Sequence, residues 1–269
     1  MSVVMIDGPG GRLATRADGP ADAPAIILSH SLGATMQMWT PQMELLARHR
    51  RVIRYDARGH GASDVPDGPW SFEDLVADVN AVMEAHDVSR GDFLGLSLGG
   101  MTGLGLALAH PNRIERLVMA DGRADAPEPF RENWDLRIGK VRAGGLAAIA
   151  DGTLESWFTA AWRAANPEAA AEVRAMILAT DPEGYMRACA TLKTLDYLRL
   201  LGGMKVPTLY LCGEHDMGAP PEVMRAMADA TPGARFELVP DAAHVANINN
   251  PAAFNAAIAG FLDLPEKVA

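Results

Sequence analysis

The chain has 269 residues, of which 49% are hydrophobic and 22% are charged, and its net charge is −10 at pH 7. This composition is ordinary for a soluble globular protein, and the negative charge argues against a nucleic-acid or anionic-membrane partner, which would need a basic face. Cys189 and Cys212 match no zinc-site or CxxC spacing. Residues 1–11 show no secretion signal, and no apolar run approaches membrane-spanning length. We therefore expect a reduced, soluble, cytoplasmic protein.

Short apolar strands alternate with helical stretches over most of the chain. Residues 3–6 and 12–16 predict an opening hairpin, and the continuously apolar run 25–28 is typical of a strand covered on both faces. Thr40-Pro41 fits an N-cap and first-turn proline, and Ser71 fits the N-cap of the next helix. Further strands are predicted at 51–55, 92–94, 116–120, 208–212 and 235–239. This alternation indicates an α/β protein with a mostly parallel, doubly wound sheet.

The alternation stops between residues 121 and 205, where the sequence predicts helices and no strand. The segment follows the sixth predicted strand and contains Trp134, Trp157 and Trp162. We interpret it as a helical cap inserted over the carboxyl edge of the sheet. Residues 1–120 and 206–269 would then form the core of the protein.

The stretch Gly95-Leu96-Ser97-Leu98-Gly99-Gly100 predicts a strand, a tight turn and a helix, with Ser97 at the apex. Glycines two positions either side of Ser97 suit a turn in which a Cβ would clash. Gly99, Gly103 and Ala107 recur every fourth residue, which gives the helix a bare face that can lie close to a sheet. This pattern is typical of a nucleophile elbow, which projects a serine hydroxyl toward a helix N-terminus.

A serine nucleophile needs a base to take its proton and a carboxylate to orient that base. Asp216 and His244 each follow a predicted strand, so both should reach the crevice where the carboxyl ends of the strands meet. Asp121 also follows a strand and is an alternative acid or a helix cap. Asp241 is too near His244 along the chain and fits a turn. His215 adjoins Asp216, so its side chain should point away.

An oxyanion hole needs two backbone N–H donors. Leu98, directly after the elbow serine, should supply one, and Leu32 the other, with its neighbour Ser31 as the alternative. His30 and His60 lie in tight loops, where bracing the backbone is their expected role. No spacing typical of a metal site or a dinucleotide fingerprint is present, so we expect neither a metal nor another cofactor.

Four segments resemble the α/β-hydrolase superfamily and are most similar to the 3-oxoadipate enol-lactonases. They are Ser29-His30-Ser31-Leu32-Gly33, Tyr55-Asp56-Ala57-Arg58-Gly59-His60-Gly61-Ala62-Ser63, Gly95-Leu96-Ser97-Leu98-Gly99-Gly100-Met101-Thr102-Gly103 and Ala242-Ala243-His244. The resemblance spans nearly the whole chain and implies a Ser97–His244–Asp216 triad, oxyanion donors at Leu32 and Leu98, and no cofactor. Members of this family open a small lactone that carries a carboxylate.

In the cap, the resemblance implies a set of substrate-pocket residues. They are Trp134, Arg137, Trp157 and Tyr185. The chain departs from the lactonases at Asp121-Gly122-Arg123, where they more often carry a small hydroxyl residue after Asn or Asp. An anionic substrate would need a cation, and Arg123, Arg137 and Arg187 are candidates, each with a solvated helix face as its alternative role.

The expected function is hydrolysis of a carboxylic ester or lactone through an acyl-enzyme on Ser97, similar to a 3-oxoadipate enol-lactonase of aromatic catabolism. A broad carboxylesterase, a perhydrolase and a haloperoxidase-like enzyme would share the same triad and are the alternatives. A small-molecule receptor that kept a hydrolase fold is an alternative from another class. The expected partner is a small ester or lactone, not a nucleic acid or a membrane, with an oligomer allowed but not indicated.

Overall fold

The computed structural model describes residues 2–265, and an eight-stranded sheet lies at its centre. The strands are β1 (Val4–Gly8), β2 (Gly11–Asp18), β3 (Ala25–Ser29), β4 (Arg51–Tyr55), β5 (Gly91–Leu96), β6 (Ile114–Ala120), β7 (Thr208–Gly213) and β8 (Arg235–Val239). Their order is β1-β2-β4-β3-β5-β6-β7-β8, with β2 antiparallel to both its neighbours and every other pair parallel. The predicted fold class is therefore confirmed. Met1 and residues 266–269, which belong to the predicted core ranges, lie outside the described residues.

The described residues contain eleven α-helices. They are α1 (Thr40–His49), α2 (Phe72–Ala85), α3 (Leu98–Ala109), α4 (Glu128–Gly144), α5 (Ala147–Trp157), α6 (Ala160–Ala165), α7 (Pro167–Leu178), α8 (Pro182–Leu192), α9 (Pro221–Ala230), α10 (Ala246–Asn249) and α11 (Pro251–Phe261). Short 3₁₀ turns occupy Met36–Trp39, Pro111–Arg113 and Leu198–Gly203. None of the helices in residues 2–265 has the length and apolar character needed to cross a membrane.

The two predicted helix caps have different outcomes. The Ser71 prediction is confirmed, since its hydroxyl accepts from Asp74 N while the Asp74 carboxylate accepts from Ser71 N. The Thr40 prediction is wrong, because Trp39 is the N-cap of α1 and Thr40 already has helical dihedral angles. A 3₁₀ turn leads directly into α1, and the Thr40 hydroxyl instead donates to the carbonyl of Gln37.

Helix α3 lies against the sheet on its glycine face, as the spacing of small residues predicts. It contacts β3, β5 and β6. A Cβ at Gly99 would lie 2.1 Å from the carbonyl oxygen of Ser29, and one at Gly103 would lie 2.7 Å from the Phe93 ring. No larger residue fits at either position without moving the helix, so this close approach fixes where α3 begins relative to the strands.

Helices α4 to α8 lie between β6 and β7, which matches the predicted insertion after the sixth strand. The two ends of this segment meet, because Asp125 and Asp196 form an isolated β-bridge and Ala124 O accepts from the N–H groups of Tyr197 and Leu198. Because the two ends of this segment are hydrogen-bonded to each other, we propose residues 121–205 as the cap and residues 1–120 with 206–269 as the core.

Candidate active site

The elbow places Ser97 between β5 and α3 in a strained backbone conformation. Its φ of 55° and ψ of −116° lie outside the regions that residues with a side chain favour. Ser97 N donates to Ala120 O at 2.9 Å, and Ser97 O accepts from Met101 N in the first turn of α3. A Cβ at Gly95 would lie 2.3 Å from Gly99 O, so glycine is required for the chain to turn this sharply.

The loops after β5, β7 and β8 bring three side chains into one hydrogen-bonded line. His244 Nε2 lies 3.0 Å from Ser97 Oγ, and His244 Nδ1 lies 2.9 Å from Asp216 Oδ2 and 3.0 Å from Oδ1. Because an ionised carboxylate can only accept, Nδ1 carries the imidazole hydrogen and Nε2 accepts from the serine hydroxyl. The three residues chosen from the sequence are therefore in the geometry that proton transfer from serine requires.

The surroundings of Asp216 hold its carboxylate toward the imidazole. The residue is 1% exposed, and its Oδ1 accepts from Gly218 N at 2.7 Å and from Ala219 N at 3.1 Å. Burial of His244 opposes a charge on the ring, but the adjacent Asp216 carboxylate outweighs this effect. The pKa of His244 is consequently raised above its ordinary value of 6.5.

The alternative acids, Asp121 and Asp241, and the neighbouring His215 do not hydrogen-bond to the His244 imidazole. Asp121 is fully buried and accepts from the backbone N–H groups of Gly213 and Ala246 rather than from an imidazole. Burial and the nearby Asp216 raise the pKa of Asp121 well above its ordinary range. Asp241 is exposed at a turn with φ 54°, and His215 is exposed beside a glutamate.

His30 and His60 brace the loops beside the site, as their positions predicted. His30 Nε2 accepts from Ala57 N at 2.8 Å, and His60 Nε2 accepts from Gly33 N at 3.0 Å. Burial lowers the pKa of His30 to about 4 and that of His60 to about 3, so both rings stay neutral acceptors near pH 7. Their protonation would break both backbone contacts.

Three consecutive N–H groups follow His30, and they differ in their partners. Ser31 N donates to the Met38 sulfur at 3.2 Å, and Gly33 N donates to His60. Within residues 2–265, no group accepts from Leu32 N or from Leu98 N, the first amide of α3. The N–H groups of the two leucines chosen from the sequence are thus left without a protein acceptor, whereas the alternative, Ser31, already has one.

A cavity of about 470 Å³ lies above Ser97, between the core loops and the cap. All four cap residues implied by the resemblance line it, namely Trp134, Arg137, Trp157 and Tyr185. Phe130 and Asn133 also line the cavity from α4, although no sequence motif indicated them. Their spacing from Trp134 and Arg137 is that of one helix face, and this periodicity could have identified them.

The three candidate cap arginines differ in their partners. Arg123 lines the cavity but pairs with Asp125, with 3.0 Å between Nη2 and Oδ1. Arg187 does not line the cavity and contacts Pro66 O and Asp67. Arg137 lines the cavity and donates to the hydroxyls of Tyr185 and Thr153. No carboxylate in the described part of the chain lies within ion-pair distance of the Arg137 guanidinium.

The fold brings together two groups of three potential metal ligands, and sequence spacing did not suggest either group. Asp121, Cys212 and Asp216 are buried, whereas Glu214, His215 and Asp241 are exposed. In the buried group, each carboxylate oxygen already accepts a hydrogen bond from the protein. The expectation of no metal remains a prediction.

Residues 24–251 match the family described as alpha/beta hydrolase fold, so the chain belongs to the α/β-hydrolase family. Among its relatives it is similar to 3-oxoadipate enol-lactonase 1 of Acinetobacter baylyi, with 31% identity over 97% of both chains. It is also similar to the crystal structure of the enol-lactonase from Burkholderia xenovorans, with 40% identity, 97% and 100% coverage and a TM-score of 0.93. A thermophilic esterase from Thermogutta terrifontis with malate bound shares 30% identity over 98% of both chains, with a TM-score of 0.91. The predicted resemblance to the enol-lactonases is confirmed.

Proposed function

We propose that this hydrolase opens a small lactone bearing a carboxylate through an acyl-enzyme on Ser97. The proposed reaction is that of a 3-oxoadipate enol-lactonase. One observation carries the proposal: the Ser97–His244–Asp216 line opens into the cavity that also contains the Arg137 guanidinium, which no carboxylate of the described residues neutralises. Arg137 is half-buried, and a substrate carboxylate in the cavity would supply the charge-assisted hydrogen bond that no carboxylate of the described residues makes.

The proposed reaction begins when His244 Nε2 takes the hydroxyl proton as Ser97 Oγ attacks the lactone carbonyl. The N–H groups of Leu32 and Leu98 receive the negative charge that develops on the carbonyl oxygen. His244 then returns the proton to the ring oxygen as the bond between this oxygen and the carbonyl carbon breaks. Asp216 stabilises the imidazolium between these two transfers.

Deacylation repeats the same steps with water as the nucleophile. In a lactone the departing oxygen stays tethered to the acyl chain, so water must attack before the ring closes again. His244 removes a proton from this water and returns it to Ser97 Oγ when the acyl bond breaks. The product is one open-chain hydroxy or keto acid, and the enzyme regains its free serine.

A comparison of substrates tests the lactone assignment. We expect kcat/KM for 3-oxoadipate enol-lactone to be far above that for short-chain p-nitrophenyl esters, with Ser97→Ala as the blank. The opposite ranking would assign a carboxylesterase, for which the similarity to the Thermogutta terrifontis esterase is the supporting observation. Turnover of neither substrate, with Ser97 still labelled by a fluorophosphonate, would reject both substrate classes and leave the nucleophile in place.

Arg137→Gln should weaken turnover of anionic substrates selectively. We expect a drop of about 10- to 100-fold in kcat/KM for a p-nitrophenyl ester whose acyl chain ends in a carboxylate, because a charge-assisted hydrogen bond is lost. The ester whose chain ends in a methyl group should be nearly unaffected. Arg123→Gln is the matched control, since Arg123 lines the same cavity but is paired with Asp125. Equal losses for the two esters would contradict the carboxylate-binding role.

The expected pH dependence of kcat/KM follows from the raised pKa of His244. The imidazole can accept the serine proton only when it is neutral, so kcat/KM should rise with pH through the raised pKa. The midpoint of this acidic limb is expected above 6.5, the ordinary value for histidine. A pH profile with a neutral p-nitrophenyl ester measures it. A midpoint at or below the ordinary value would mean that Asp216 does not act on the imidazole as the geometry indicates.

A further inference from the structure

Asp121 connects the two loops that carry Asp216 and His244. It follows β6, is fully buried and has a φ of 46°. Its Oδ1 accepts from Gly213 N at 2.7 Å, and its Oδ2 accepts from Ala246 N at 3.2 Å. Each oxygen of one carboxylate is therefore bonded to a different segment of the site.

The two residues that donate to Asp121, Gly213 and Ala246, adjoin the hydrogen-bonded Asp216–His244 pair. Gly213 is the last residue of β7, and its carbonyl accepts from Asp216 N at 3.1 Å. Ala246 begins α10, two residues after His244. The two segments are also in backbone contact, because a Cβ at Gly213 would lie only 2.2 Å from Ala243 O. His215 N also donates to Ala242 O at 2.8 Å, so the separation of the loops is fixed at several points, of which the Asp121 carboxylate is one.

We propose that Asp121 is a positioning residue, which holds the Asp216 and His244 loops at the separation that their mutual hydrogen bond needs. Within residues 2–265, Asp121 neither hydrogen-bonds to Ser97 nor lines the cavity, so it acts through the other two residues. The inference rests on the proposed function, in which the Asp216–His244 contact orients the base.

The electrostatic surroundings add a second link between Asp121 and the base. His244 is faced by the carboxylates of Asp216 and Asp121 and by the Arg137 guanidinium. Asp121 is faced by Asp216, His244 and, within 4.8 Å, the Cys212 thiol. The Asp121 carboxyl and the His244 imidazole are therefore coupled electrostatically as well as through the backbone.

The test compares Asp121→Asn with Thr231→Val, measured with a neutral p-nitrophenyl ester. Asparagine keeps the volume of Asp121 but turns one acceptor into a donor that faces a backbone N–H. Thr231→Val is the matched control, because it also removes a buried hydrogen bond, to Tyr210 on β7, away from the cavity. We expect kcat of Asp121→Asn to fall about 10- to 100-fold with KM nearly unchanged, and kcat of Thr231→Val to stay within about twofold of wild type.

A double-mutant cycle separates positioning from general damage. In an Asp216→Asn background, adding Asp121→Asn should cost less than about threefold, because the contact that it positions is already lost. The downfield proton resonance of His244 Nδ1–H should shift in Asp121→Asn and not in Thr231→Val. A folded Asp121→Asn with wild-type kcat, or fully additive losses, would overturn the proposal. An active Ser97→Ala would instead overturn the proposed function itself.

If Asp121→Asn fails to fold, Ala246→Pro tests the same link from the other side. Proline at the first position of a helix is tolerated, and it removes only the N–H group that donates to Asp121 Oδ2. We expect kcat to fall by about tenfold with KM retained. A folded Ala246→Pro with wild-type kcat would show that the bond does not position the base.

Discussion

Ser97→Ala should abolish hydrolysis of every ester and lactone that the wild-type protein turns over, with kcat falling by about ten-thousandfold or more. The side chain of Ser97 supplies the only hydroxyl that lies 3.0 Å from His244 Nε2 within the described residues. In the proposed mechanism, neither acylation nor deacylation can proceed without this hydroxyl. Active-site titration with a fluorophosphonate, followed by steady-state kinetics, measures the loss.

The stability of Ser97→Ala serves as its control. Serine and alanine both have a Cβ and are similarly strained at a φ of 55°, so the substitution should leave the melting temperature nearly unchanged. Retention of the wild-type cavity can be checked by binding of a non-reactive carboxylate. If a titrated, correctly folded Ser97→Ala preparation keeps substantial kcat, the acyl-enzyme mechanism is wrong.

Asp216→Asn should reduce kcat by about a thousandfold to ten-thousandfold. The asparagine amide can donate to Nδ1, which would favour the tautomer whose Nε2 carries a hydrogen and cannot accept from Ser97. Asp216 accepts from His244 on both oxygens and is itself fixed by Gly218 N. Asparagine has nearly the same volume as aspartate, so the loss of kcat measures the role of the carboxylate charge and not a change in packing.

Two further variants make the Asp216 result decisive. Asp121→Asn should cost far less than Asp216→Asn, since Asp121 contacts backbone N–H groups and not the imidazole. Asp241→Asn should have almost no effect, because its side chain is exposed at a turn. A larger loss in Asp121→Asn than in Asp216→Asn would assign the acid to Asp121.

Several features of the protein could be predicted because they depend on neighbouring residues in the chain. Gly95 and Gly99 around Ser97 specify a turn that only glycine permits, and the structure contains this turn. Alternating apolar runs predicted a parallel sheet with a helical insertion, and both are present. Asp216 and His244 both follow predicted strands, and the structure places Asp216 in contact with His244 and His244 in contact with Ser97.

Other features could not be derived from the sequence, since they depend on residues far apart in the chain. Arg123, Arg137 and Arg187 were equivalent in sequence, and packing of the cap left only Arg137 on the cavity without a carboxylate partner among the described residues. Ser31 and Leu32 were both candidate donors until the positions of Met38 and His60 distinguished them.

The sequence by itself determined the class of this protein, the order of its elements and the residues able to supply nucleophile, base and acid. Tertiary structure decided which arginine on the cavity has no carboxylate partner among the described residues. It also decided which role Asp121 can take, since Gly213 and Ala246 reach Asp121 from segments more than ninety residues away. Turn chemistry and hydrophobic periodicity are local properties of the chain. A buried charge acquires its partner only when distant segments pack together and exclude water.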